Sequence, residues 1–256
     1  MTDFIKEFWD DQARTHGLSH SASWGDNFAI NLEIENISKH IKDGDKVLDV
    51  GCANGYSTIA QSIRKNIDIT GVDFSEPMIE QAKKTINKGI NFSVGDIRKL
   101  PFDSEEFDVT YTTRVLINLP NWEEQLNGIH ECLRVTKTGG IIVLSEAFYE
   151  PLVLLNAMRQ LVQLKPLVEH DFNRYLKKEK LKTFLDDLVE NKGIDDFYNV
   201  DFSSLYYLGS RFVRELTTEI DKYPGYSNPI NEIFHRLEQS FSGGGFGIQQ
   251  AYIIRK

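Results

Sequence analysis

The feature that most constrains this chain is an alternation of short apolar segments with helical ones between residues 46 and 147. VLDV (47–50), IDITGVD (67–73), INFSVGD (90–96), FDVTYTT (107–113) and IIVLSEA (141–147) read as buried strands. Between them lie helical patterns near Tyr56–Arg64 and Trp122–Val135. A further helix, SEPMIEQAKKTI, opens with Ser75 as N-cap and Pro77 in the first turn. TKTGG (136–140) reads as a helix stop and turn. Strands that alternate with helices form a mainly parallel sheet covered on both faces. The expected fold is therefore α/β and doubly wound.

The flanks complete that fold. Residues 1–45 are expected as an N-terminal helical cover, with Phe4, Ile5, Phe8 and Trp9 on one helix and Ile30, Ile34, Ile37 and Ile41 on a second. Residues 46–147 and 199–256 form the core, and 148–198 reads as an inserted helical cap. FGIQQAYIIRK (246–256) suits a last, antiparallel strand. With 256 residues the chain can bury a full core without disulfides. Its two cysteines, Cys52 and Cys132, fit no metal-ligand spacing.

A net charge of −9 repels phosphate backbones, so no nucleic-acid partner is expected. The Lys177–Lys182 cluster reads as a solvated helix face. No apolar run approaches the length of a membrane span. The acidic N-terminus MTDFIKEFWDDQ lacks an apolar signal core, and the expected location is cytoplasmic. The sequence does not set the oligomeric state.

In an open parallel sheet, ligands sit beyond the carboxyl ends of the strands. After the first strand comes D-V-G-C-A-N-G, Asp49 to Gly55. Gly51 permits a tight turn and close ligand approach, Ala53 is nearly as small, and Gly55 opens a helix whose free N–H groups favour an anion such as a carboxylate. Asp49 is placed to face a cationic amine. The spacing is not the G-x-G-x-x-G of dinucleotide pyrophosphate sites, which counts against a nicotinamide oxidoreductase. After the second strand, Asp73 can accept from both ribose hydroxyls, with Phe74 and Met78 flanking an adenine. After the third, Asp96 can accept from the adenine amine, with Ile97 against the ring. Singly, each acid is an ordinary helix cap; in succession they describe a nucleoside site.

VLDVGCANGYST, TGVDFSEPMIEQAKK, VGDIRKLPFDSEEFDVTYTTRVLINL and ECLRVTKTGGIIVLSE resemble, in order, the motifs of class I S-adenosylmethionine-dependent methyltransferases, above all a small-molecule branch that includes quinone and sugar methyltransferases. The resemblance covers about residues 45–147 and the last strand. It implies a seven-stranded Rossmann-like sheet, S-adenosylmethionine as cofactor and S-adenosylhomocysteine as product. By it, Asp49, Gly51, Cys52, Ala53, Asn54 and Gly55 line the methionine moiety, Asp73 holds the ribose, Asp96 and Ile97 hold the adenine, and Arg114 meets the methionine end. Trp24 would pack over the cofactor from the N-terminal loop.

A finer likeness comes from TTRVLINLPNWEEQLNGIHECLRV, HDFNRYL and VDFSSLYYLGSRFV, which are similar to methyltransferases of surface-polysaccharide gene clusters. Some of these act on sugars and others on capsule substituents such as phosphoramidate. It implies O-methylation of a small polar acceptor. Candidate bases are Glu146 at the end of the fifth strand, His20 in the N-terminal loop and His170 in the cap; His16 and His130 read as surface or capping residues. Arg174, Tyr175, Tyr206, Tyr207 and Arg211 are candidate acceptor contacts, the arginines suiting a phosphorylated group. SGGGFG (242–247) is either an anion-binding nest or a turn. Two other readings are a quinone or metabolite C- or N-methyltransferase and a non-catalytic cofactor-binding regulator.

Overall fold

The computed structural model describes residues 3–85, 89–217, 226 and 228–256. The chain begins with α1 (Asp3–His16), a short 3-10 turn at His20–Ala22, and α2 (Asn27–Ser38). Asp26 caps α2, its carboxylate accepting from the Ala29 amide at 3.2 Å. Five strands then alternate with helices: β1 (Lys46–Val50), α3 (Tyr56–Arg64), β2 (Asp68–Asp73), α4 (Glu76–Ala82), β3 (Ile90–Val94), β4 (Phe107–Thr113), α5 (Trp122–Val135) and β5 (Thr136–Ala147). Ser75 caps α4 as expected, accepting from the Met78 amide; the expected tail of that helix, at Ile86, lies outside the described residues.

These strands and two more form one seven-stranded sheet in the order β3-β2-β1-β4-β5-β7-β6, where β6 is Asp196–Val200 and β7 is Gln249–Arg255. The first five pair in parallel. β7 runs antiparallel between β5 and β6. The sequence order reverses direction at β1 and β4, so a crevice opens beyond their carboxyl ends.

The strands alternate sides with period two. Val47 and Ile253 face the layer carrying Ala29, Leu32 and Ile37 of α2, while Leu48 and Ile254 face Ile129 and Cys132 of α5. TKTGG is not a free turn but an irregular start to β5: the register jumps from Phe107↔Thr136 to Val109↔Ile141, with Gly139 at φ +80°.

Residues 148–198 divide in two. α6 (Tyr149–Leu161) packs Leu152 and Leu155 into the core layer that holds α2, and the 168–175 loop reaches α1, with Phe172 against Phe8 and Trp9. By contrast α7 (Lys178–Glu190) lays Leu181 and Leu185 on the sheet beside α5, and β6 starts inside this stretch. α8 (Ser204–Leu208) continues through a π turn at Gly209–Val213 into α9 (Arg214–Thr217), and α10 (Pro229–Ser240) packs on both α8 and α2. The SGGGFG run is a turn whose amides are already used: Gly245 donates to Asp201, and Phe246 and Gly247 donate to Ser204 Oγ. No helix among the described residues is long and apolar enough to cross a membrane.

One buried cluster joins the cover to the core. Asp26 accepts from Tyr206 Oη at 2.5 Å and from Arg211 Nη2 at 2.6 Å, with Asp26 fully buried. Removing one partner of a buried charge pair leaves the other unpaired. Asp26→Ala should therefore cost about 3–5 kcal/mol of stability. Urea unfolding would measure it, and a loss under about 1 kcal/mol would show that the cluster does not hold the cover down.

Candidate functional site

Two adjoining clefts lie beyond β1 and β4. The first, about 950 Å³ counted to its open mouth, is floored by the β1 turn and walled by the ends of β2, β3 and β4. Gly51 has φ +77°, and a Cβ there would sit 2.1 Å from Val115 Cγ2. Neither backbone nor space admits a larger residue. Ala53 also has positive φ, +47°. Gly55 opens α3 as expected, at φ +80° with its α-carbon side against Phe92, and does not itself line the cleft. Asn54 lines the cleft and clasps the N-terminal segment, donating to the Gly17 and Ser19 carbonyls at 2.7 Å each.

Four carboxylates line this cleft, those of Glu33, Asp49, Asp73 and Asp96. Asp73 Oδ2 accepts from the Ala53 amide and Oδ1 from the Ser75 amide, both at 2.9 Å. Each oxygen keeps a lone pair for a further donor. Burial pushes Asp73 up to about 6 against the pull of these amides. Asp49 accepts from Thr58 Oγ1 at 2.6 Å, and burial raises it to about 7. Phe74, Met78 and Ile97 supply apolar walls and Cys52 part of the floor.

Asp96 lines the cleft, but its carboxylate is taken. Arg98 reaches it through Nε at 3.0 Å and through Nη2. Burial opposes ionisation there, and the Arg98 hydrogen bonds outweigh it, holding Asp96 below the usual carboxylate range. The expected Asp96–adenine bond must therefore compete with this fork.

Several expected roles change. Glu146 was read as a cleft-facing base; it is fully buried under the turn after β4. Its Oε1 accepts from Thr112 Oγ1 at 2.7 Å and from the amides of Val115 at 3.1 Å and Leu116 at 3.2 Å, with Oε2 on Ile117 at 3.4 Å. It organises the 3-10 turn Leu116–Asn118. His20 lines neither cleft: Nδ1 meets the Trp24 carbonyl at 3.1 Å and the ring packs on Tyr56. Arg174 folds back on its own loop, donating to the Asp171 and Asn173 carbonyls. Arg211 and Tyr206 are spent on Asp26. Trp24 lines the second cleft, not the first.

The second cleft opens between α1, the Ser21–Gly25 segment and the loop 168–175. His170, Tyr175 and Tyr207 do line it. Trp9, Ser23, Arg114 and Asn118 line both clefts and form the throat between them. Arg114, in the left-handed region at φ +56°, donates to Glu33 Oε1 at 2.9 Å and lies over the Trp24 ring at 4.8 Å. Its charge is thus matched within the site. The sequence reading missed Glu33, Trp9 and Asn118. The signal for Glu33 was a lone acid on the apolar stripe Ile30–Ile34–Ile37; burial pushes its carboxyl up, with Arg114 opposing.

Comparison with known proteins bears on the first cleft. Residues 47–140 match the family described as "Methyltransferase domain". The demethylmenaquinone methyltransferase of Staphylococcus haemolyticus is 38% identical over 111 residues, 42% of this chain and 45% of its own length. The 27-O-demethylrifamycin SV methyltransferase of Amycolatopsis mediterranei is 24% identical over 166 residues, 59% and 57% of the two chains. The chain thus spans about half the length of these curated relatives. In fold it matches a Thermotoga maritima S-adenosylmethionine-dependent methyltransferase, titled a possible histamine N-methyltransferase, at TM-score 0.62 and 18% identity, covering 97% of this chain and 99% of that one.

The revised role of Glu146 is testable. Glu146→Gln presents an amide donor to backbone donors at a fully buried position, and should lower stability by about 1–3 kcal/mol. Thermal and urea unfolding check this; unfolding at the wild-type midpoint would return Glu146 to the list of bases.

Proposed function

We infer from a methyltransferase domain at residues 47–140, set in a whole-chain fold of the same kind, that this protein is an S-adenosylmethionine-dependent methyltransferase. Its acceptor is a small polar molecule lodged in the second cleft. The observation that carries this is the pair of clefts meeting at one throat, with carboxylates on the cofactor side. S-Adenosylmethionine, when bound, supplies a methyl carbon already activated by a sulfonium.

The first cleft fits that cofactor. Asp73 keeps lone pairs for the ribose hydroxyls, Phe74, Met78 and Ile97 offer apolar contact to the base, and Asp49 with the unpartnered Glu33 Oε2 offers negative charge to a cationic ligand. The second cleft holds the acceptor so that its nucleophile faces the throat. Such alignment can supply about 7–11 kcal/mol of a barrier.

The sequence likeness further suggests O-methylation of a sugar or phosphorylated intermediate of surface-polysaccharide synthesis. The phosphorylated version of that reading loses its arginines. Arg114 is matched by Glu33 and Arg211 by Asp26, while Arg174 bonds its own loop. An uncharged or cationic acceptor suits the cleft better. The proposed cap is correspondingly the part of 148–198 that lines the second cleft, the 168–175 loop.

Asp73→Ala should weaken S-adenosylhomocysteine binding by about a hundredfold, the loss of two charge-assisted hydrogen bonds, without unfolding the chain. Calorimetry reads this, and an unchanged affinity would sink the cofactor assignment. The pH dependence has a definite sign. Asp73 and Asp49 are raised to about 6 and about 7 in the free protein. A cationic ligand favours their ionised forms, so binding S-adenosylmethionine should release protons, and affinity should rise as pH climbs from about 5.5 to about 7.5. Calorimetry in buffers of different ionisation enthalpy counts the protons; uptake, or no exchange, would contradict the roles given to both carboxylates.

A further inference from the structure

We propose that the second cleft is built for an amine, and that the chain methylates nitrogen there; this rests on the first cleft holding the methyl donor. Four observations converge. The walls are aromatic: Phe8, Trp9, Trp24, Phe172, Tyr175 and Tyr207 all face the cleft. Arg114 already lies over the Trp24 ring at 4.8 Å and Arg211 over Tyr207 at 5.1 Å, so Phe8, Trp9, Phe172 and Tyr175 are the rings that offer negative π surface to a further cation. Glu169 and Asp171 sit at the same cleft, and its one arginine, Arg114, is matched by Glu33. Anions find no free guanidinium among the described lining residues.

The third observation concerns hydrogen bonds. Asn118 Oδ1 at the throat and Gln249 Oε1 in the second cleft are buried acceptors with no partner, in side chains only 8% and 4% exposed. Glu33 Oε2 adds another across the throat. Two unpartnered groups that can donate, Trp9 Nε1 and the Thr113 hydroxyl of the first cleft, stand against these three acceptors. An unpaired buried polar group is costly, so the site calls for a ligand rich in N–H.

The fourth is the charge that develops. An oxygen acceptor must lose its proton and gain negative charge, close to Glu33, Glu169 and Asp171. Of the three candidate bases, Glu146 and His20 do not reach the throat, and His170 alone lines the second cleft, on its 168–175 wall. An amine that binds as the ammonium first gives one proton to water, and the free amine then needs no further base to attack. Its lone pair forms the N–C bond as the sulfonium C–S bond breaks and that pair stays on sulfur. Positive charge moves from sulfur to nitrogen, toward the rings and carboxylates, and one N–H proton of the product ammonium then leaves to water. The site stabilises charge of the sign that this transfer creates.

The test compares matched probes on the full chain: 2-phenylethylamine, 2-phenylethanol and 2-phenylethyl phosphate, titrated by calorimetry with and without saturating S-adenosylhomocysteine. The amine should bind about tenfold more tightly than either other probe. The double variant Glu169→Gln/Asp171→Asn, confined to the 168–175 loop outside the first cleft, should cut that preference about fivefold while leaving S-adenosylhomocysteine affinity unchanged. An equal or better alcohol or phosphate, no binding by any probe, or a preference that survives the double variant would overturn the proposal. The S-adenosylhomocysteine titration is read separately: its failure alone would strike the cofactor reading and leave the amine preference standing as a binding property.

Discussion

The buried carboxylate of Glu146 is the tie on which the rest of the site depends. It links the end of β5 to Thr112 on β4 and to three amides of the following turn. That turn presses Val115 onto Gly51, where no Cβ fits. It also delivers Arg114 and Asn118 to the throat. Three strand ends at the switch point are thereby locked to one another through a single side chain. Burial raises Glu146 to about 7, so the tie is held against a desolvation cost that only its several donors offset.

A second layer of charge works outward from there. Two arginines near the second cleft are matched by buried acids: Arg114 by Glu33 and Arg211 by Asp26. Both acids belong to the N-terminal cover, Glu33 on α2 and Asp26 at its cap. The cover is therefore held to the sheet core by neutralising that core's cations. One arrangement fixes the lid over the clefts and removes free positive charge from them. The cleft that results is acceptor-rich and aromatic, whatever the net charge of the loops around it.

The fold was legible because its signals are local. Alternating apolar segments, Ser75 and Pro77 at a helix start, and glycines at positive φ each act within a few residues. The same holds for Asp73, placed by the end of its own strand. Glu146 could not be read this way. A strand-end acid normally points at the cleft, and only the packing of β4's turn, 31 residues away at Val115, turns this one inward. Arg211 likewise looks free in sequence, since Asp26 lies 185 residues before it. TKTGG reads as a turn because its two glycines resemble a helix stop, yet pairing beyond it draws the segment into β5. α7 was assigned to the cap because periodicity shows that a helix has an apolar face, not what covers it.

The same distinction separates what likeness can teach about the two clefts. The family match spans residues 47–140, which carry most of the first cleft. Of the second cleft it includes Arg114, Ile117 and Asn118 only; the aromatic walls come from α1, the segment after it, the 168–175 loop and Tyr207. Likeness to relatives over that stretch therefore bears on the first cleft. The second is assembled from segments outside the match, so its chemistry must be argued from these side chains alone. What they offer is π faces, carboxylates and unpaired carbonyl oxygens around a neutralised arginine. A methyl transfer that carries positive charge onto its acceptor is the one such a surface favours, because every group near the incoming nucleophile then gains interaction as the bond forms.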